Sequence, residues 1–290
     1  MSDSLSNIPA TPTLSTGLRS QPSRDEWLIA IDLDGTTIDE AGQASPAVRE
    51  QLRRVEQEGH HLLVTTGRSW ITTVSVMHDL DMWPEYLVCA NGAVTLQRDA
   101  NTLDGYRRIH AVTFDPAPVL ALVQAFLPDA SIAIEAENGT YRYTAPFPPA
   151  TTEPTDQQRI VSIEEIADAP AARMVVITPE RDFSEFREIV ENMGLEDVMF
   201  TLGWTAWLDI ASAGVTKASA AEVLRAELGF SRDRVLAVGD GFNDLELLEW
   251  AAAYGRGAAM GHAPQELLSV ASEVTGSLTE DGLALVLASV

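Results

Sequence analysis

The chain has 290 residues, with 43 acidic against 19 basic side chains, a formal net charge of -24 and 46% hydrophobic residues. A field this negative excludes nucleic acids and anionic membrane surfaces as partners, whereas a small phosphorylated molecule needs only local compensation. A single cysteine excludes an internal disulfide framework, the five histidines (His60, His61, His78, His110 and His262) show no zinc-site spacing, and no apolar run is long enough for a transmembrane helix.

Residues 1–25 are rich in Ser, Thr, Pro and Asn and read as a disordered leader. They lack the basic start and apolar stretch of a signal peptide, so a cytoplasmic monomer or homodimer is expected. The run Trp27 to Ile31 is apolar without alternation, the pattern of a strand buried on both faces, and it ends in Asp32-Leu33-Asp34-Gly35-Thr36-Thr37. Ser45-Pro46 followed by Val48, Leu52 and Val55 predicts a capped helix closed by Gly59. His61 to Thr65 reads as a second strand ending in Thr66-Gly67-Arg68, a helix follows to about Leu80, and Tyr86 to Ala90 reads as a third strand ending in Asn91-Gly92. Strand alternating with helix predicts a parallel sheet with crossover helices.

From residue 91 the pattern changes. Ala93 to Gln97 and Arg107 to Thr113 read as strands of a different sheet, Pro116 to Phe126 as a helix, and Ser131 to Glu135 with Thr140 to Thr144 as a hairpin about Asn138-Gly139. Beyond a Pro/Thr/Ala loop from Pro146 to Pro154, strands are expected at Arg173 to Ile177, Val198 to Leu202 and Trp207 to Ile210, with a helix at Phe183 to Met193. The first pattern then returns: a helix from Lys217 to Leu228 closed by Gly229, a buried strand from Val235 to Val238 ending in Gly239-Asp240-Gly241, and helices at Asn243 to Ala252, Pro264 to Val270 and Gly282 to Leu287. The expected organisation is an α/β core of residues 26–90 and 211–290, interrupted by an α+β insertion of residues 91–210.

Chemistry gathers at the strand ends, where open α/β sheets bind ligands. Asp32 and Asp34 at one end and Asp240 and Asp244 at another supply hard oxygen ligands without histidine or thiol, a set that suits magnesium. Asp32 and Asp34 would raise each other's pKa unless a cation lay between them; the alternative is a solvated acidic turn. Thr66-Gly67-Arg68 fits a phosphoryl-oxygen site and a helix cap equally well. Lys217 is the only lysine in the chain and opens a helix, where its charge opposes the macrodipole. An acidic cluster with a bound phosphate would explain it; a chance surface position is the alternative.

In this order the motifs resemble those of the haloacid dehalogenase-like hydrolase superfamily, and within it the Cof-type sugar-phosphate phosphatases. Asp32-Leu33-Asp34-Gly35-Thr36 is similar to the superfamily's first motif, Thr66-Gly67-Arg68 to its second, Lys217 to its third, and Gly239-Asp240-Gly241-Phe242-Asn243-Asp244 to its fourth. Ala259-Met260-Gly261-His262-Ala263 resembles a further signature, with His262 where the family usually has Asn. The resemblance covers roughly residues 27–290 and implies a Rossmann-like core. It implies a Mg²⁺-dependent phosphomonoesterase acting on a small phosphorylated metabolite, a sugar phosphate foremost, through an aspartyl-phosphate. Asp32 would be the nucleophile, Asp34 the general acid and then base, and Thr66, Gly67, Lys217 and Asn243 the phosphate-binding set, with Lys217 also orienting Asp32. Asp32, Asp240, Asp244 and the main-chain carbonyl of Asp34 would serve the metal, and Thr36 would brace the loop. A dedicated sucrose-phosphate or mannosyl-3-phosphoglycerate phosphatase is the alternative within the class, and a non-enzymatic ligand-binding protein the alternative outside it.

The long insertion falls between Thr66 and Lys217, after the second motif, which in this superfamily marks a C2 cap, here of the α/β form called type IIB. The cap would set specificity. Glu137, Asn138, Arg142 and Tyr143 around the hairpin turn, and Trp204 and Trp207 near the cap's return, are the candidates; they fit core or exposed hairpin positions as well.

Overall fold

A computed structural model describes residues 22–148, 158–203 and 206–290. The expected leader lies almost wholly outside these residues, as do most of the Pro146 to Pro154 loop and Trp204.

The chain opens as anticipated. Strand β1 (Leu28–Asp32) is buried along its whole length. Helix α1 (Pro46–Gln57) starts where the Ser45 side chain accepts a hydrogen bond from the Val48 N–H, and it buries Val48, Leu52 and Val55. Strand β2 (His61–Thr65), helix α2 (Trp70–Leu80) and strand β3 (Tyr86–Cys89) complete two parallel crossovers, with β1 pairing β2 and β2 pairing β3 in register.

The next two strands correct the sequence reading. Strands β4 (Val94–Arg98) and β5 (Tyr106–Ala111) do not belong to a different sheet. They extend the same sheet as an antiparallel hairpin, with Cys89 facing Val94 and Leu87 facing Leu96. A parallel sheet ordinarily needs a long crossover between strands. Here the chain reverses within Ala90–Gly92, where three successive residues take positive φ (50°, 52° and 110°). An alanine in that region is not legible from composition. The departure from the core therefore lies after β5, not at residue 91.

Beyond it, α3 (Ala117–Phe126), β6 (Ser131–Glu135), β7 (Tyr141–Tyr143), α4 (Ile163–Ile166), β8 (Arg173–Ile177), α5 (Phe183–Glu191), β9 (Val198–Leu202) and β10 (Trp207–Ser212) build the inserted layer. Its five strands lie in the order β7-β6-β8-β10-β9, with every pairing antiparallel. Alternation sorts its two faces. Ile132, Ile134, Met174, Val176, Leu208 and Ile210 pack in one core with Val119 and Val123 of α3 and Phe186 and Val190 of α5. Ala133, Tyr141, Tyr143, Val175 and Ile177 form a smaller cluster of opposite parity, together with Phe147 and the half-buried Trp207.

The core resumes with α6 (Lys217–Leu228), capped by Thr216 and closed by Gly229 at φ 79°. Strand β11 (Val235–Gly239), helix α7 (Leu245–Ala252), strand β12 (Arg256–Ala259), helix α8 (Gln265–Val270), strand β13 (Glu273–Val274) and helix α9 (Gly282–Leu287) follow. The full order of the eight-stranded sheet is β13-β12-β11-β1-β2-β3-β4-β5, so β1 and β11 are neighbours. The two halves of the discontinuous core thus meet where the strand order switches, and both acidic loops leave the sheet side by side.

Candidate active site

The carboxyl ends of β1 and β11 and the start of α6 converge. Lys217 is fully buried, and its Nζ donates to Asp32 Oδ1 (2.5 Å) and Asp244 Oδ1 (2.7 Å). The second Asp244 oxygen accepts the backbone N–H groups of Asp240 (3.1 Å) and Gly241 (3.0 Å), so this carboxylate also folds the loop after β11. Thr36 donates to Asp240 Oδ1 (2.6 Å), and Thr37 donates to the Asp32 carbonyl (2.6 Å). Thr36 therefore braces the acidic pair of loops against each other. Gly35 is required between them: its φ is 84°, and a β-carbon there would stand 2.4 Å from Asp240 Oδ2.

Asp32, Asp240 and Asp244 present ligand oxygens within 4.8 Å of one another. Burial, reinforced by the neighbouring Asp244, pushes the Asp32 carboxyl well above its usual range despite the opposing pull of Lys217. Burial likewise raises Asp240. Lys217, held between two carboxylates, is raised above the usual ammonium range although burial works the other way. One ammonium among three acids leaves negative charge over, and an all-oxygen donor set without thiol fits a hard divalent cation. His262 places Nε2 3.5 Å from Asp240 Oδ2, so this histidine stands beside the cluster.

Asp34 points elsewhere. Its carboxylate takes a two-pronged pair from Arg68, Nε to Oδ2 at 2.7 Å and the terminal nitrogen to Oδ1 at 2.5 Å. Thr66 is fully buried and accepts the Arg68 N–H (3.1 Å), while Gly67 reaches the cleft surface. Asn243 donates to Asn91 Oδ1 (2.9 Å), and both side chains flank Gly67. Gly92, with φ 110°, lets this turn touch the cap of α6: a β-carbon there would lie 2.3 Å from the Thr216 carbonyl oxygen.

Above these residues opens a cleft of about 330 Å³. Asp32, Asp34, Gly67, Arg68, Asn91, Asp240 and Asn243 form its floor, and Arg173, Thr201, Trp207 and Asp209 of the inserted sheet form its roof. The roof residues share one sheet face, because Asp209 lies opposite Thr201 and odd-numbered positions of β8 and β10 point the same way.

Of the cap candidates, only Trp207 among the described residues lines the cleft. The hairpin turn sits instead against Trp70 and Ile71 of α2, beside Gly139. Glu137 pairs with Arg108 of β5 (3.7 Å), Asn138 accepts Thr140 within the turn, Arg142 donates to the Glu165 carbonyl (2.7 Å), and Tyr143 is buried and stacked on Tyr141. None of these four side chains lines the cleft. Arg173 and Asp209 were missed, yet each carries a signal: a lone charge inside an apolar strand run.

Residues 29–287 match the family described as haloacid dehalogenase-like hydrolase. The chain belongs to this family. Pyridoxal phosphate phosphatase YbhA of Escherichia coli is 27% identical over 89% of this chain and 96% of its own length. The 5-amino-6-(5-phospho-D-ribitylamino)uracil phosphatase YitU of Bacillus subtilis is 25% identical, covering 89% and 95%. A solved phosphatase of the haloalkanoate superfamily from Bacteroides thetaiotaomicron superposes with a TM-score of 0.73 at 25% identity, covering 95% of this chain and 98% of its own. The hydrolase core with an inserted α/β cap is thus the architecture of an enzyme. No helix among the described residues is long and apolar enough to cross a membrane.

Proposed function

We propose that the chain is a Mg²⁺-dependent phosphomonoesterase that hydrolyses a small phosphorylated metabolite, foremost a sugar phosphate, through an aspartyl-phosphate on Asp32. The observation that carries this reading is Lys217, buried and donating to both Asp32 and Asp244 beneath an acidic cleft. The two curated relatives are named for pyridoxal phosphate and for a phosphorylated ribitylaminouracil, both small phosphomonoesters, which supports the class without choosing the substrate.

Lys217 holds Asp32 Oδ1, which fixes the carboxylate plane and leaves the other oxygen to attack phosphorus. Asp32, Asp240, Asp244 and the Asp34 carbonyl would hold Mg²⁺, which supplies positive charge against the carboxylates and the phosphoryl oxygens. Gly67, Asn91 and Asn243 present polar groups to the transferring phosphoryl group at the cleft floor. The buried Thr66 hydroxyl holds the Arg68 N–H and so shapes the loop that carries Gly67. Asp34 reaches the leaving oxygen once its pair with Arg68 opens, donates a proton to it, and then takes one from the hydrolytic water. The roof, which we read as a type IIB cap, excludes bulk water from this step.

Turnover of p-nitrophenyl phosphate with and without Mg²⁺, in the native chain and Asp32→Asn, tests the reading. Metal-dependent release of p-nitrophenol that Asp32→Asn abolishes is the expected result; its absence, together with no turnover of any phosphorylated metabolite, refutes it.

A further inference from the structure

In the closed cleft each cation at the surface has an acidic partner, and at the roof that pairing involves no residue of the proposed reaction. Among the described lining residues the acids are Asp32, Asp34, Asp209 and Asp240, and the cations are Arg68 and Arg173. Arg68 is bound at both prongs by Asp34. Arg173 donates from Nε to Asp209 Oδ1 (2.6 Å), with a terminal nitrogen 2.5 Å from the same oxygen, and from its other terminal nitrogen to the Tyr141 hydroxyl (3.3 Å). Tyr141 in turn donates to the fully buried Glu135 at 2.6 Å. The roof guanidinium therefore sits between two carboxylates and has no charge left for a ligand.

Asp209 has the opposite property. A carboxylate offers about four lone-pair sites. The Arg173 guanidinium covers Oδ1, with Nε donating to it and a terminal nitrogen in ion-pair contact, and the Trp207 indole N–H, at 3.0 Å, occupies one site on Oδ2. One acceptor position remains on a side chain that is 16% exposed and faces the cleft. It can take a hydrogen bond from a hydroxyl, and it repels an anion. The Thr201 hydroxyl beside it and the Trp207 ring complete a surface for a neutral polyol.

Resting on the phosphatase reading above, we infer that the cap half of the cleft selects phosphomonoesters with a neutral, hydroxyl-bearing leaving group and rejects those carrying a second anion, and that Asp209 sets this choice. This separates the two dedicated activities the sequence left open: a sucrose phosphate fits, and a phosphoglycerate ester, with its carboxylate, does not.

Sorbitol 6-phosphate and 6-phosphogluconate make a matched pair of probes, differing only in a terminal hydroxymethyl or carboxylate group. Each is measured as a competitive inhibitor of p-nitrophenyl phosphate hydrolysis by the Mg²⁺-loaded enzyme, so that selection is read even where neither is turned over. The neutral probe is expected to bind at least about tenfold more tightly, the size of effect that a like-charge juxtaposition produces. Asp209→Asn, which keeps the shape and removes the charge, is expected to bring the ratio of the two constants to within about threefold. Thr201→Lys places the missing cation at a half-buried position on an edge strand and is expected to favour 6-phosphogluconate by a similar factor, while Asp209→Ser, which also removes the charge, carries the residue-level test if Asp209→Asn does not fold. Equal inhibition by the two probes in the native enzyme, no inhibition by either, or a ratio that a folded Asp209 variant leaves unmoved overturns the inference. Absence of any Mg²⁺-dependent turnover, of p-nitrophenyl phosphate or of any phosphorylated metabolite, strikes the phosphatase reading instead.

Discussion

Two carboxylates share one ammonium at the floor of the cleft, and each of the three groups is almost completely buried. Removing the ammonium leaves the buried Asp32 and Asp244 carboxyls without their cation partner. Lys217→Met is therefore expected to lower unfolding free energy by about 3–5 kcal/mol, the cost of breaking a buried pair from one side. Urea denaturation of the metal-free protein measures it, and a loss below about 1 kcal/mol would mean the carboxylates rearrange freely. Asp34 stands in contrast: it is half-exposed and its side chain lies outside the three-carboxylate group. Asp34→Asn is expected to slow turnover about 100-fold or more, the scale of lost general acid–base catalysis, while leaving Mg²⁺ affinity nearly unchanged. A Mg²⁺ titration of turnover in this variant checks both halves; a large loss of affinity contradicts the assigned role.

Among the elements, the turn between β3 and β4 couples the second motif to the third. Gly92→Ala is expected to cost about 1–3 kcal/mol, the scale of one strained backbone residue. It is also expected to depress turnover, because the intruding carbon meets the Thr216 carbonyl that begins the helix carrying Lys217. Thermal melts and p-nitrophenyl phosphate assays on the same sample read the two effects. A second element-level effect lies between α6 and α7, where Glu222 accepts from Arg225, Arg232 and the Trp250 indole. The Arg225 hydrogen bonds, foremost, hold the Glu222 carboxyl down to about 2 from 4.5. A folded pKa below the unfolded one stabilises fully above the unfolded value and is lost as pH falls through the folded value. Acidification from about 4.5 toward 2 should therefore lower the native melting temperature more steeply than that of Glu222→Gln; parallel curves would show that the clamp does not hold α6 to α7.

Most of these elements were legible because their signals are local. Unbroken apolar runs marked β1 and β11, and a capping serine with apolar residues one turn apart marked α1. The hairpin of β4 and β5 was misassigned because its decisive feature, an alanine and an asparagine at positive φ, is a backbone state that tertiary packing imposes. At the site, the four acids, Thr66 and Lys217 could be read from motif order. Of the roof only Trp207 could: Arg173 and Asp209 are far apart in sequence and meet only through antiparallel pairing of β8 with β10.

For the molecule as a whole, the discontinuous core matters more than any one strand. β1 and β11 come from distant parts of the sequence, yet their adjacency joins the loop of Asp32 and Asp34 to the loop of Asp240 and Asp244. The site therefore forms only when both ends of the chain have closed around the inserted layer. In a chain with net charge -24, the proposed phosphate site depends on local compensation at the floor, where Lys217 lies among the carboxylates, and not on the roof, whose guanidinium is already paired. Away from the cleft the acid excess needs no role beyond solubility.

The seclusion of Lys217 also makes the fold self-reporting. Since the chain has no other side-chain amine, reagents directed at amines have no side-chain target in the native state. A protease that cuts only after lysine has one site, in the first turn of α6, and can reach it only when the catalytic floor opens. Its cleavage rate is expected to be negligible in the native enzyme, to fall further with Mg²⁺ and a phosphate mimic such as vanadate, and to rise in step with denaturant. One cut, read as two fragments of 217 and 73 residues, thus times the opening of the floor beneath the cleft, without label or substrate.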